Sequence, residues 1–253
     1  MNYKINDEIF TYAKYSTGYI SGGSVSAQPY KPELSTSYEV GIKTDLFNRH
    51  LRSNLAVFHV DYSHLQISST GRSIGRSDIS SLILNAYDLQ AKGVEWENTA
   101  IPIEGVTLTA NVGYTQSTLS NINPATGPKD QVRPQFRPKW TGNLAAQYEV
   151  KGMPGDSRLI LRADGNYRSK EFITGNLNNP TIADALISPA AWLFNARVAL
   201  ADIKVANTTA EVALWGRNLA DNGRVTFGAP FPLFATSMYE RARTYGVDAA
   251  FKF

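Results

Sequence analysis

His59, Asp61 and His64 form the only cluster of histidine and carboxylate in the chain. On a strand, His59 and Asp61 share a face. An imidazole beside a carboxylate is a pairing used for general base work and for metal ligation. Either site would need further groups converging from other strands, and without them the cluster reads as the polar face of a strand. Glu95 and Glu97 also share a face and offer paired acids. Glycoside hydrolysis, however, depends on a separation in space that spacing in sequence does not supply. The long polar stretches suggest a different chemistry. Leu219–Glu240 carries Arg224, Phe227, Phe231 and Phe234 among glycines and prolines, and Ser120–Arg137 carries Arg133, Phe136 and Arg137. Guanidinium groups among aromatic rings suit an anionic, aromatic metal chelate in loops. They equally suit one loop packing on another.

Composition limits what can position these groups. The chain has 253 residues, 43% of them hydrophobic, and a mean hydropathy of −0.26, so it can form one large domain but contains no helical membrane span. The absence of cysteine excludes a disulfide framework and any cysteine-ligated zinc or iron–sulfur site. A net charge of +3 with scattered Lys and Arg gives no support to a nucleic-acid partner. No cofactor is indicated. Met1–Phe10 shows neither a basic segment leading into an apolar run nor a small-residue cleavage site, so a secretory signal is not expected at this start.

The elements are strands. The end of the chain, Arg241–Phe253, puts Tyr245, Val247, Ala249, Phe251 and Phe253 on one face and Thr244, Gly246, Asp248, Ala250 and Lys252 on the other. At about 3.3 Å per residue and a tilt of about 45°, such a strand climbs about 30 Å, enough to cross the ~25 Å apolar band of a membrane barrel. The register is strongly set, because a charge such as Asp248 turned toward lipid near the midplane would cost a few kcal/mol.

About ten alternating segments precede or include this strand: Glu8–Ser16, Ser35–Leu46, His50–Ile67, Leu82–Thr99, Val106–Thr118, Trp140–Val150, Leu159–Tyr167, Trp192–Leu200, Thr208–Gly216 and the closing strand. In the third, Ala56, Phe58, Val60 and Tyr62 read as outward and Val57, His59 and Asp61 as inward. The fourth slips in parity near Lys92, which suggests a bulge there. Short connections at Phe47–Arg49, Pro102–Gly105, Lys151–Asp156 and Asp202–Asn207 alternate with long ones, which is the pattern of short periplasmic turns and long extracellular loops. With that polarity, Tyr38, Tyr62, Tyr114, Trp140, Tyr167, Trp192 and Tyr245 fall toward the extracellular ends, as an interfacial aromatic girdle requires. The fold class is therefore all-β, a transmembrane antiparallel up-and-down β-barrel wall. The first competing class is a self-contained ten-stranded outer-membrane hydrolase using His59, Asp61 and His64. The second is a soluble β-rich module, which the girdle disfavours.

The motifs carry a resemblance as well. FTYAKYSTGYISGG, then KPELSTSYEVGIKTDLFNRHLRSNLAVFHVDYSHLQI, NAYDLQAKGVEWENTAIPIEG, WGRNLADN and the terminal RARTYGVDAAFKF stand in the order found in TonB-dependent outer-membrane receptors. The chain resembles the C-terminal part of that barrel, so 1–253 is expected to be a partial barrel domain. The resemblance implies a Gram-negative outer-membrane receptor, not an enzyme, that imports ferric siderophores or similarly bulky nutrients. It also implies contact with membrane lipid, with TonB only through an N-terminal part not found here, and with the barrel-assembly machinery, which would read the closing strand through Tyr245, Val247, Phe251 and Phe253. Such barrels have about 22 strands around a plug. The family's plug and early strands have no counterpart in these residues, and the chain alone is therefore expected not to support uptake.

Overall fold

The computed structural model describes residues 1–175, 184–230 and 234–252. Its framework is one antiparallel sheet of eleven strands, each hydrogen-bonded to its neighbours in chain order. The strands are β1 (Asn2–Lys4), β2 (Ile9–Ile20), β3 (Glu33–Leu46), β4 (Leu51–Ser69), β5 (Leu82–Ala100), β6 (Val106–Ser120), β7 (Trp140–Val150), β8 (Arg158–Arg168), β9 (Ala191–Val205), β10 (Thr208–Arg217) and β11 (Thr244–Lys252). The strand added to the sequence reading is β1. It is a three-residue edge piece held where Met1 and Ala13 exchange backbone hydrogen bonds of 2.7 and 2.9 Å. It is too short to show a period in sequence. The closing strand begins at Thr244, so Arg241–Arg243 belong to the loop before it, and Phe253 lies outside the described residues.

Register defines the two faces. One row across the sheet runs Val40, Val57, Val94, Tyr114 and Trp140. The adjacent row on the other face runs Gly41, Ala56, Glu95, Gly113, Thr141 and Arg168. The first face is apolar yet open: Leu214 is 59% and Val247 67% exposed. An apolar face of this extent needs lipid to cover it. Near the short-turn end, the few polar side chains on this face satisfy one another. Trp96 Nε1 donates to Ser53 Oγ at 2.9 Å, Ser53 Oγ donates to Asn98 Oδ1 at 2.7 Å, and Asn98 Nδ2 donates to the Ala110 carbonyl at 3.1 Å. That closure is what a hydrocarbon surrounding demands, since each orphaned polar group there costs several kcal/mol.

The same register corrects β4. Val57, His59 and Asp61 are outward, and Ala56, Phe58, Val60 and Tyr62 are inward, the reverse of the sequence reading. Residues 55–58 are apolar on both faces, so alternation alone leaves the parity open. Packing decides it, because the Phe58 ring lies over Gly93, where a Cβ would meet it at 2.6 Å. Tyr62 therefore leaves the girdle. It packs inward beside Tyr87, Leu89 and Val132 in the main buried cluster. Of the remaining girdle rings, Tyr38 pairs across strands with Tyr15 (5.3 Å between centroids), Tyr114 with Trp140 (4.7 Å) and Tyr167 with Trp192 (5.3 Å). Successive pairs step down the strands, as tilted barrel strands require.

Two irregularities fall elsewhere than expected. Lys92 sits in unbroken register with His59 and Gln116, and the shift lies instead between Tyr62 and Gln66, with His64 at φ 58°. On β9 the shift lies between Leu200 and Ile203, so the strand continues through Asp202 to Val205, and the turn shrinks to Ala206 and Asn207. Strands β4 and β5, at about 3.3 Å per residue and a ~45° tilt, climb about 44 Å and so project well above a ~25 Å band. In that projecting part the polarity inverts. Asp61, Gln90 and Thr118 point outward to water, and the buried cluster fills the inside.

Candidate ligand vestibule

The inner wall and the long loops border an open cavity of about 1170 Å³. Its floor is polar. Glu97, Asn111, Asn143 and Asn166 lie side by side in register, with Asn143 Nδ2 donating to Asn166 Oδ1 at 2.9 Å. Inner-wall charges lower down are paired: Arg197 with Glu211, and Arg158 with Glu149 (2.9 Å) and Asp202 (2.5 Å). On the closing side, Trp215 Nε1 donates to Asp248 Oδ1 at 3.0 Å, and Arg217 lies 4.9 Å over the Trp215 ring.

Three loops form the roof, and they are joined to one another. The Phe136 amide donates to the Phe172 carbonyl and the Arg133 amide to the Gly175 carbonyl, each at 2.9 Å, and Gln135 Nε2 donates to the Ile173 carbonyl at 2.9 Å. The next contact follows from Ile173, whose amide donates to Leu186. A hairpin of Val225–Pro230 with Ala235–Tyr239 then lies so close that a Cβ on Gly228 would meet Leu186 at 2.6 Å. Ile173, Leu186 and Val225 are buried at this junction.

The loop residues singled out by sequence have different environments here. Phe136 is 46% exposed and lines the cavity. Arg133 stacks at 5.9 Å over Phe172, and Arg137 at 5.5 Å over Tyr62. Arg224 also lines the cavity but is buried, ion-paired to Glu171, with its Nε 3.3 Å from Ser188 Oγ. Phe227 and Phe234 are exposed on the outer hairpin, and Phe231 lies outside the described residues. Tyr245, Val247 and Phe251 share the outward face of β11. His59 Nε2 and Asp61 Oδ2 are 2.9 Å apart, but on the outward face, away from the cavity. His64 meets Asp88 only through its backbone amide. Glu95 and Glu97 do line the cavity.

Sequence reasoning missed Arg168, Glu171 and Arg241, all of which border the cavity, as does Arg217, whose inward parity with Glu211 is legible in the sequence. Arg168 was within reach, because it continues the inward parity of Asp164 and Asn166.

Comparison with known proteins gives this geometry a family. The profile described as "TonB dependent receptor-like, beta-barrel" matches residues 1–219. The ferric-pyoverdine M114 receptor PbuA of Pseudomonas sp. (strain M114) is 27% identical over 222 residues, 87% of this chain and 25% of that protein. The ferric yersiniabactin uptake receptor FyuA of Yersinia pestis superposes with a TM-score of 0.79 at 18% identity, covering all of this chain and 36% of FyuA. BauA, the ferric preacinetobactin receptor of Acinetobacter baumannii, gives a TM-score of 0.72 at 20% identity over all of this chain and 35% of BauA. The chain thus spans a quarter of its curated relative and about a third of these solved receptors. It belongs to the TonB-dependent receptor-like β-barrel family, outer-membrane receptors of Gram-negative bacteria and not enzymes.

Proposed function

We propose that residues 1–253 are one part of the barrel domain of a receptor importing a ferric siderophore, or a similarly bulky anionic metal chelate, with energy delivered through TonB. The observation that carries this reading is the vestibule: a cavity of about 1170 Å³ with amides on its floor, and Phe136 and several arginines around its rim. Pockets for drug-sized ligands run from about 300 to 1,000 Å³, so the space suits a large ligand. Guanidiniums and rings together suit an anionic chelate with aromatic parts. The relatives named for ferric pyoverdine, yersiniabactin and preacinetobactin support the same substrate class.

In this reading Arg133, Phe136, Arg137, Arg224, Phe227, Phe231 and Phe234 contribute to ligand capture, and Tyr245, Val247, Phe251 and Phe253 form the strand read during barrel assembly. The test is uptake of iron-loaded chelates by iron-starved cells carrying the receptor that contains this chain. Phe136→Ala and Arg217→Ala should each weaken chelate binding about tenfold at unchanged surface level, the cost of losing one ring or one charged contact. Uptake that is independent of TonB, or indifferent to both changes, would contradict the proposal.

A further inference from the structure

Among the described residues one ion pair is buried at both ends: Arg224, 6% exposed, with Glu171, 3% exposed. Removing two charges from water is unfavourable unless they are paired and hydrogen-bonded, and this pair is further supported by Ser188 Oγ, 3.3 Å from Arg224 Nε. Yet it is not sealed in a core, because both side chains border the vestibule. A second guanidinium stands nearby. Arg168 Nη1 is 4.0 Å from the same Glu171 oxygen, and the Arg168 side chain is 57% exposed.

A carboxylate held between two guanidiniums on the wall of a large cavity occupies the place that an anionic group of a ligand would take. We infer that Glu171 is an internal stand-in for the ligand's anion and that it sets the selectivity of the vestibule. The inference rests on the receptor reading above. A ligand gains Arg224 only by displacing Glu171, so only a chelate whose carboxylate or phenolate oxygens can match the pair's geometry is accepted, and weaker anions are refused. Arg168 is the residue placed to keep Glu171 neutralised after the exchange. Glu171 and Arg224 also sit on two different loops of the roof, so the exchange loosens the tie between those loops where the ligand enters.

The test uses citrate, an iron-free tricarboxylate, and the whole receptor that contains this chain, in detergent, with binding measured by calorimetry. Glu171→Gln keeps the shape and removes the competing charge, and it should bind citrate at least about tenfold more tightly than the unaltered receptor. In the double variant Glu171→Gln with Arg224→Gln that gain should vanish. Unchanged or weaker citrate binding by a folded Glu171→Gln variant would overturn the inference, as would a gain that survives in the double variant. If Glu171→Gln disorders the loops, as judged by hydrogen exchange of Val225–Ala229, then Glu171→Asp replaces it. This variant keeps the charge but shortens its reach, and it should gain severalfold, whereas no gain would overturn the inference. Because citrate carries no iron here, a positive result combined with absent chelate uptake would leave the anion site standing and remove only the import reading.

Discussion

Phe58 and His59 are neighbours in the chain and face opposite surroundings. Phe58 covers Gly93 inside the wall, while the His59 ring stands 6.4 Å from Tyr38 on the outward face. Phe58→Ala should therefore destabilise the wall by about 1.5–3 kcal/mol, the value of burying an aromatic side chain. His59→Phe, by contrast, should be tolerated at the girdle level. Chemical unfolding of both variants in lipid checks the contrast. The sequence does not fix this parity, because Leu55, Ala56, Val57 and Phe58 form an unbroken apolar run and the deciding contact is made by a residue on the next strand. Clean alternation elsewhere, such as Tyr245, Val247, Ala249 and Phe251 against Gly246, Asp248 and Ala250, did reveal the faces. A smaller effect belongs to the same scale. Hydrogen bonding from Arg76 holds the Asp78 carboxyl down from 3.8 to about 2 in an exposed loop. With the folded value lowered, the pair's contribution is complete above pH 3.8 and fades as pH falls toward 2. A carboxyl-carbon NMR titration should place the midpoint near that lower value.

At the scale of the element, strands hold together through cross-strand pairs in which one partner is glycine. The Trp215 ring lies over Gly246, where a Cβ would come within 2.2 Å of it, and this contact fixes β10 against the closing strand. Gly246→Val should force the ring off its seat at a cost of about 1–3 kcal/mol. The loss should appear as a lower level of folded, heat-resistant receptor in membrane fractions, with Gly152→Val, at a turn where nothing lies nearby, as the comparison of a glycine strained only by its own φ. Strand existence and the alternation of turn and loop were legible because both follow from period and punctuation. Bulges were not, since the shift at His64 is set by the pairing of β4 with β5. The roof was only partly legible. Arginines and rings stood out by type, but the first two loops are joined by backbone groups such as the amides of Arg133 and Phe136, and the third is joined by the packing of Gly228 on Leu186 and by the Arg224–Glu171 pair.

At the scale of the molecule, the chain is a wall with a greasy outside, a polar inside and a joined set of loops above. An apolar face this wide predicts that the chain leaves membranes only in detergent and then shows β-type circular dichroism, and a monodisperse species in plain buffer would contradict it. Its native sequence contains no cysteine, so single cysteines can be placed without background. The most direct measurement puts spin labels in turn at residues 54–60 and 244–250 of the chain in lipid, and compares collision with oxygen, which partitions into hydrocarbon, against collision with a water-soluble nickel complex. Leu55, Val57, Tyr245, Val247 and Ala249 should respond to oxygen, whereas Asn54, Gly246 and Asp248, on the inner face, should respond to nickel, and Ala56 and Phe58 should not respond to oxygen. Equal accessibility at successive positions, or the opposite phase on either strand, would contradict a lipid-facing wall around a ligand vestibule.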